Sequence, residues 1–470
     1  MKNHLILVVL CLTMAMPLGA SANALTGDVN ADGVRNIEDV TTLIDYLLSN
    51  DASLINLENA DIDNDHVISV ADVTEMIDLL LNLQPPTITD GVEYDVINGI
   101  GIKNLWIQDR EHSPEIWTNQ PYCNTNARTA VLNDGFIYIA RSNANVVVVG
   151  TDTLTQSVIY KVDATNGELI ETLPLTLNGE IYGGAVLSAN SIGVDNFGHL
   201  YLTSYTSAIA IEWPIYLVDK ESGEMSLVAS LDKGDAICRC DYIDVMGDLT
   251  REQAECNIMA AGASSEYIYR WHADQGSDFE GGFNGDPYLA IEDFYPKTVA
   301  NWGYMPIVKM IEQPSNKESR YSGEQFFVDG YYTAPAIYNK SGNLIESFEN
   351  VYPELHPWDV GANGVCEFKF GGRTFVAYVL AQYLGYDVYS GHNRACQVNI
   401  CELGEGNTLG NMQHCWMVPD ALGTITDGGT RIECINAEHG YDQYGNEEIT
   451  LFIYKCYNGM AVYKIGPNVQ

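Results

Sequence analysis

One pattern occurs twice near the start of this chain and limits what that region can become. The first copy is the twelve-residue run Asp28, Val29, Asn30, Ala31, Asp32, Gly33, Val34, Arg35, Asn36, Ile37, Glu38, Asp39. The second is Asp61, Ile62, Asp63, Asn64, Asp65, His66, Val67, Ile68, Ser69, Val70, Ala71, Asp72. Oxygen-bearing side chains stand at positions 1, 3, 5, 9 and 12 of each copy. A hard cation such as Ca²⁺ takes six to eight oxygens, and a short loop supplies them at alternate positions. Position 7 lends only its carbonyl, so Val34 and Val67 suit it. Position 6 must turn sharply, which Gly33 does without steric cost. His66 holds that place in the second copy, at ~1 kcal/mol if the backbone needs positive φ.

Behind each loop the apolar spacing becomes helical. Val40, Leu43, Ile44, Leu47 and Leu48 recur every three or four residues, and so do Val73, Met76, Ile77, Leu80 and Leu81. Each loop–helix half is too small to fold alone, so duplication and metal together make the module. A solvated Asp/Asn turn accounts for one such loop more easily than for two in tandem, each leading into an amphipathic helix.

The Gly-Asp-Val-Asn-x-Asp-Gly opening, the Asp at position 12 and the Leu/Ile-rich helix, all duplicated, resemble a type I dockerin over Leu25 to Leu83. The resemblance implies two calcium sites. Their ligands would be Asp28, Asn30, Asp32, Val34, Asn36 and Asp39, then Asp61, Asp63, Asp65, Val67, Ser69 and Asp72. It also implies docking onto a cohesin-like domain of another secreted protein, commonly in polysaccharide-degrading assemblies. Part of that contact would fall at Ile37-Glu38 and Val70-Ala71.

Residues 1–24 read as a signal peptide. Lys2 precedes an apolar run from Leu5 to Met16, then the small-residue sites Ala20-Ser21-Ala22 and Ala22-Asn23-Ala24. The run is too short to span a bilayer stably, and no later stretch is long and apolar enough to do so. The expected location is therefore extracellular or at the cell surface. A formal net charge of −40 argues against nucleic acid and anionic membranes as partners. Setting Cys11 aside with the signal leaves Cys123, Cys238, Cys240, Cys256, Cys366, Cys396, Cys401, Cys415, Cys434 and Cys456. An even number in an exported chain permits disulfides, with the pairing open. Cys238-x-Cys240 and Cys256 lack a histidine at a familiar zinc spacing, so bridges or buried thiols are expected there.

Residues 84–93, with Pro85-Pro86, read as a stiff linker. From 94 to 470 the texture is β-branched and aromatic runs between Gly/Asn/Asp turns. Strand–turn–strand units recur around Asp163 to Gly167, Asp219 to Gly223 and Asn339 to Gly342. Such units predict a β-propeller of six or seven blades, loosely resembling the quinoprotein-like and NHL-like propellers; the alternative is a pair of β-sandwiches. The fold class is thus multidomain: a small α-helical dockerin-like calcium module (25–83) and a large all-β domain. Asp232 to Tyr304 departs from the repeat. It predicts a short helix over Asp248–Glu255 with Thr250 as N-cap, then a polar, Gly-rich segment from Arg270 to Asp286 of the kind that borders ligand sites.

Glycoside cleavage needs two carboxylates across a sugar. Candidates are Asp274, Asp278, Glu280, Asp286, Glu292, Asp293, Glu354, Asp359, Asp387 and Glu438-His439, but 63 acidic residues make neighbouring pairs common by chance. No nucleophile elbow, zinc-protease motif or phosphate loop is present, and Thr426–Thr430 has the wrong spacing for a sialidase-type Asp box. Tyr383, Tyr386 and Tyr389 with His392 and Asn393, and Trp271, Phe283, Trp302 and Tyr304, are candidate sugar-stacking platforms; their competing role is core between blades. Pro357-Trp358-Asp359 is a lone Trp-Asp pair and does not make a WD40 protein.

The expected function is a secreted calcium-binding component of extracellular polysaccharide degradation whose propeller binds glycan or protein. A hydrolase or lyase with its site in the propeller is the alternative. A calcium-braced protein without a docking partner is the second alternative.

Overall fold

The computed structural model describes residues 27–31, 37–62, 66–82, 88–149, 151–185, 187–207, 209–235, 238–312, 320–351, 364–379, 398–404, 408–418, 422, 433–467 and 469. The expected signal segment, residue 83 and residues 84–87 of the expected linker lie outside these. The chain divides into two units, residues 1–86 and 87–470.

In the first unit, α1 (Ile37–Ser49) and α3 (Val70–Asn82) start where the two loops end, with the short α2 (Leu57–Ala60) between them. The predicted stripes are split. Val40 and Leu43 of α1 and Val73 and Met76 of α3 are buried with Val29 and Ala60, while Leu47 is partly buried against them. Ile44, Ile77 and Leu48 are 38%, 40% and 82% exposed. Two helices meeting edge to edge cover only the inner half of each apolar face.

The second unit is a six-bladed β-propeller, which excludes the sandwich alternative. Blade 1 comprises Ala127–Asn133, Phe136–Val149, Asp152–Asp163 and Leu169–Pro174. Blade 2 comprises Ser191–Val194, Leu200–Thr203, Glu212–Val218 and Glu224–Asp232, extended at its rim by Thr176–Leu177 and Glu180–Ile181. Blade 3 is built on Asp244–Gly247, Cys256–Ala263 and Tyr267–Ala273, with the short strands Glu280–Gly281 and Tyr288–Ala290 outside. Blade 4 is Ile307–Ile311, Gln325–Gly330, Thr333–Asn339 and Leu344–Glu346; blade 5 is Val365–Phe370, Arg373–Val379, Val398–Glu402 and Gln413–Val418. Blade 6 is closed by the start of the domain: Gly101–Asp109 pairs antiparallel with Gly459–Gly466, outside Glu447–Lys455 and Glu433–Tyr441. Ile88 and Asp90 belong to this closure. Ile107 N donates to Ile88 O at 2.7 Å, and Asp90 Oδ2 accepts from Tyr94 and Tyr463 hydroxyls at 2.6 and 2.8 Å.

The predicted hairpins form by one device. Asp163 Oδ1 accepts from Thr165 N, Asp219 Oδ1 from Glu221 N and Ser222 N, and Asn339 Oδ1 from Ser341 N and Asn343 N. The side chain satisfies turn amides that water would otherwise take, and the glycine that follows accepts the left-handed backbone. Gly167 at φ +77° is the clearest case, because a Cβ there would strike Trp106 and Gln108.

Asp248–Glu255 is not a helix. Asp248 takes Thr250 N and the Thr250 hydroxyl on Oδ1 and Gln253 N on Oδ2, and Arg251 turns to φ +60°. The carboxylate competes for the amides a first helical turn would leave open, and the loop wins. No disulfide joins the nine described cysteines, and Cys396 lies outside the described residues.

Glu367, on the inner strand of blade 5, has its carboxyl pushed up to about 7 by burial. Between pH 4.5 and 7 the folded chain then holds a proton that the unfolded chain has released, so stability falls as pH rises through that window. Urea midpoints measured across it are expected to decline in the wild type and to flatten in Glu367→Gln. An unchanged slope in the variant would remove Glu367 as the cause.

Candidate functional site

The loops of the first unit place their position-12 carboxylates alike. Asp39 is fully buried and its Oδ1 accepts from Val29 N at 2.7 Å and Asn30 N at 3.1 Å. Asp72, also fully buried, accepts from Ile62 N at 2.8 Å and from Ser69 N at 2.7 Å. Each helix therefore holds its own loop by the acid that opens it. Asp28 is buried as well, and Val67 is exposed with its carbonyl as the only group it could lend. His66 adopts φ +67°, the conformation expected for position 6, and its N–H donates to Asp61 Oδ2 at 3.1 Å. Asp61 Oδ1 is buried with no hydrogen-bond donor. Such an oxygen is costly in a folded chain unless a cation takes it, so this donor set fits Ca²⁺. Asp32, Val34, Asn36, Asp63 and Asp65 lie outside the described residues.

In the propeller, the central channel is narrow. Its cavity is about 70 Å³, bordered by Thr129, Tyr242, Lys309, Cys434 and Asn436 among others. That is room for water and not for an organic ligand. Lys309 Nζ donates to Asp244 Oδ1 at 2.8 Å. Burial opposes the charge on Lys309, but the attraction of Asp244 and this bond outweigh it, so its pKa is raised. The pair joins blades 3 and 4.

Larger features lie at the two ends of the inner strands. At their N-terminal ends, Arg128 and Arg239 converge on buried Asp241, at 3.5 Å and 2.5 Å, and Arg128 Nη1 also donates to Asn190 Oδ1 at 3.0 Å. At the same end Tyr304, Tyr331 and Tyr332 cluster with ring centroids 5.4 to 6.2 Å apart. Tyr304 is 50% exposed. The register Ile307↔Asp329 puts the Tyr331–Tyr332 turn beside the start of blade 4's inner strand. At the opposite end, a groove of about 480 Å³ runs between blades 3 and 4, lined by Glu255, Arg270, His272, Glu280, Gly281, Gly282, Asn284, Gly285, Ser322, Glu324 and Lys340. Burial, then the like charges of Asp274 and Glu324, push the Glu255 carboxyl up against the opposing pull of His272 and Arg270.

Of the predicted platforms, Trp271, Phe283 and Trp302 are core. Trp271 packs edge-on against Trp213 at 6.5 Å, and Trp302 against Phe294 at 4.6 Å. Only Tyr304 of that group is on the surface. Tyr383, Tyr386, Tyr389, His392, Asn393, Trp358 and Thr426–Thr430 lie outside the described residues. Of the candidate acids, Asp274, Asp278, Glu280, Asp286, Glu292 and Asp293 are exposed, and only Glu280 lines the groove. Glu438 caps the blade 1 hairpin through Asp134 N and Gly135 N, and His439 pairs with Glu447 at 2.6 Å. Glu354, Asp359 and Asp387 lie outside the described residues. Glu255 was not legible as a site residue, because it stands alone in sequence. The alternation Arg270-x-His272-x-Asp274 was the available signal, since alternate strand residues share a face.

Residues 26–81 match the dockerin type I domain model. The first unit is therefore a dockerin type I domain, a class that binds calcium. No curated protein matches the chain in sequence. Among solved structures, a DUF4623 family protein from Bacteroides eggerthii is similar with a TM-score of 0.53 at 11% identity, over 80% of this chain and 77% of that one. The periplasmic gluconolactonase of Pseudomonas aeruginosa is matched at a TM-score of 0.34 and 11% identity, over 70% of this chain and 81% of its own. At these identities the first likeness concerns the fold alone, and the second carries no functional argument. No described helix is long and apolar enough to cross a membrane.

Proposed function

We propose that this is a secreted, calcium-dependent docking protein that brings a propeller to an extracellular polysaccharide-handling assembly. Two calcium ions, one per loop, would be held by the twelve ligands named from the sequence. Bound calcium supplies a positive centre that the loop carboxylates can share. Asp39 and Asp72 orient the loop amides, and the two helices then pack Val40 and Leu43 toward Val73 and Met76.

The observation that carries the docking reading is the unburied half of each stripe. Ile37 and Ile44 on α1 are matched at equivalent positions on α3 by Val70 and Ile77, which are 71% and 40% exposed. Repeated apolar residues facing water on so small a unit fit a partner surface better than a free one. A cohesin domain is the partner that the domain type implies. Titration of type I cohesin modules into the full chain is expected to give heat in calcium and none in chelator. Ile44→Glu with Ile77→Glu should weaken binding at least a hundred-fold. Silence from every module in calcium would leave the metal as a brace only.

For the propeller, the Tyr304, Tyr331 and Tyr332 cluster supports a glycan ligand, because sugar CH faces stack on such rings while the neighbouring polar groups take hydroxyls. On a glycan array Tyr304→Ala should lose at least ten-fold of any signal. Release of reducing ends from a polysaccharide panel would move the reading to a hydrolase or lyase.

A further inference from the structure

We propose that Glu255, His272 and Asp274 form a divalent transition-metal site, distinct from the calcium loops and open to the groove between blades 3 and 4. One lone-pair atom from each of the three lies within 4.8 Å of the other two. The arrangement of the imidazole is set from behind. Arg270 Nε and Nη2 donate to Asn257 Oδ1 at 3.1 and 2.8 Å, and Asn257 Nδ2 donates to Tyr321 O at 2.8 Å. The amide is thereby oriented, and its oxygen can only accept. His272 Nδ1, 3.3 Å from that oxygen, must carry its hydrogen there.

The other ring nitrogen, Nε2, then offers a lone pair and faces Asp274 Oδ1 at 3.2 Å. Acceptor faces acceptor unless a second proton or a cation stands between them. An imidazole whose far N–H is held by an oxygen is the usual form of a metal-ligating histidine. Arg270, buried at the base, plays no anion-binding part: its guanidinium is committed to Asn257 Oδ1, Gly282 O and Ser322 O.

The walls of the groove add further polar groups. Ser322 is 7% exposed and lines the groove, and its hydroxyl, buried from solvent, has no hydrogen-bond partner. Glu280 adds negative charge to the same walls, while Glu324 and Lys340 pair with each other at 2.5 Å. One imidazole and two carboxylates suit Zn²⁺, Mn²⁺ or Co²⁺; an all-oxygen calcium cage is a different donor set. Asp274 is exposed, so its side chain can swing to the roughly 2.0–2.2 Å that such bonds need. The groove leaves the remaining coordination positions to water or a ligand.

The second three-group cluster of this kind among the described residues, Asp195, His199 and Asp248, differs in a telling way. Asp195 there takes Phe197 N, His199 N and Leu249 N, and Asp248 takes Thr250 N and Gln253 N. Its oxygens are occupied by backbone amides, and the cluster staples blade 2 to blade 3.

The test uses the full chain without an affinity tag, kept in saturating calcium. Zn²⁺ is titrated by calorimetry and Co²⁺ by visible absorption, for the wild type, His272→Gln, Glu255→Gln and Asp274→Asn. The expected result is one equivalent of Zn²⁺ and a Co²⁺ ligand-field spectrum in the wild type. His272→Gln, whose side chain is partly exposed, should lose both at least ten-fold while its metal-free melting curve stays unchanged. The carboxylate variants should weaken Zn²⁺ in the same direction. Absence of binding in the wild type, or identical titrations in wild type and His272→Gln, would overturn the site. Either result is independent of cohesin docking, which the calcium loops carry.

Discussion

Stripping calcium from the full-length protein is expected to unfold residues 27–82 and leave the propeller intact. Among the described residues, the apolar core of the first unit is Val29, Val40, Leu43, Ala60, Val73 and Met76. A unit of this size buries little apolar surface with which to offset the entropy of ordering its chain, and needs another source of stability. The second loop alone brings Asp61, Asp63, Asp65 and Asp72 into twelve residues, and these carboxylates repel one another once the cation is gone. At a hundred times its Kd, a ligand adds about 2.7 kcal/mol, a large share of what so small a unit can have. Limited proteolysis read by mass spectrometry should therefore show new cuts within residues 27–82 in chelator, reversed by added calcium, with blades 1 to 6 still protected. Equal protection of the N-terminal unit with and without calcium would sink both the metal assignment and the docking proposal.

Trp106→Ala should destabilise the propeller by about 3–5 kcal/mol, the range for truncating a buried tryptophan. Trp106 lies on the strand that closes the ring and is 1% exposed. It packs with Ile137, Val158 and Val162 of blade 1 and Val462 of blade 6, and its Nε1 donates to Ala164 O at 2.8 Å. Truncation leaves a cavity and a carbonyl without its donor, at the seam where the two ends of the domain meet. Lys103→Ala, on the same strand but exposed, should stay within about 0.5 kcal/mol of wild type. Chemical unfolding of the three proteins decides it. A loss below about 1 kcal/mol in Trp106→Ala would mean that the closing strand does not hold the ring.

Much of the architecture was legible because it rests on short-range chemistry. The turns at Asp163, Asp219 and Asn339 are made by a side chain and amides two to four residues away, so their residues announce them. The same holds for His66, whose positive φ follows from its place in the loop. The failures share a cause. Asp248–Glu255 has helical composition, yet Asp248 captures the amides itself. Trp271, Phe283 and Trp302 look like platforms, but what they touch comes from other strands and the neighbouring blades. Glu255 gains meaning only from His272 and Asp274, which the antiparallel pairing Cys256↔Ala273 brings alongside it.

The amino-acid order by itself determined a duplicated oxygen-rich loop with its helix, and a string of hairpins joined by Asx and glycine turns. Those depend on groups a few residues apart. The blade count, the closure of residue 101 onto residue 466 and the groove between blades 3 and 4 depend on partners tens to hundreds of positions away. Apolar burial favours such contacts without specifying which distant segments make them. Only the closed ring, in which each sheet covers the next, selects the set.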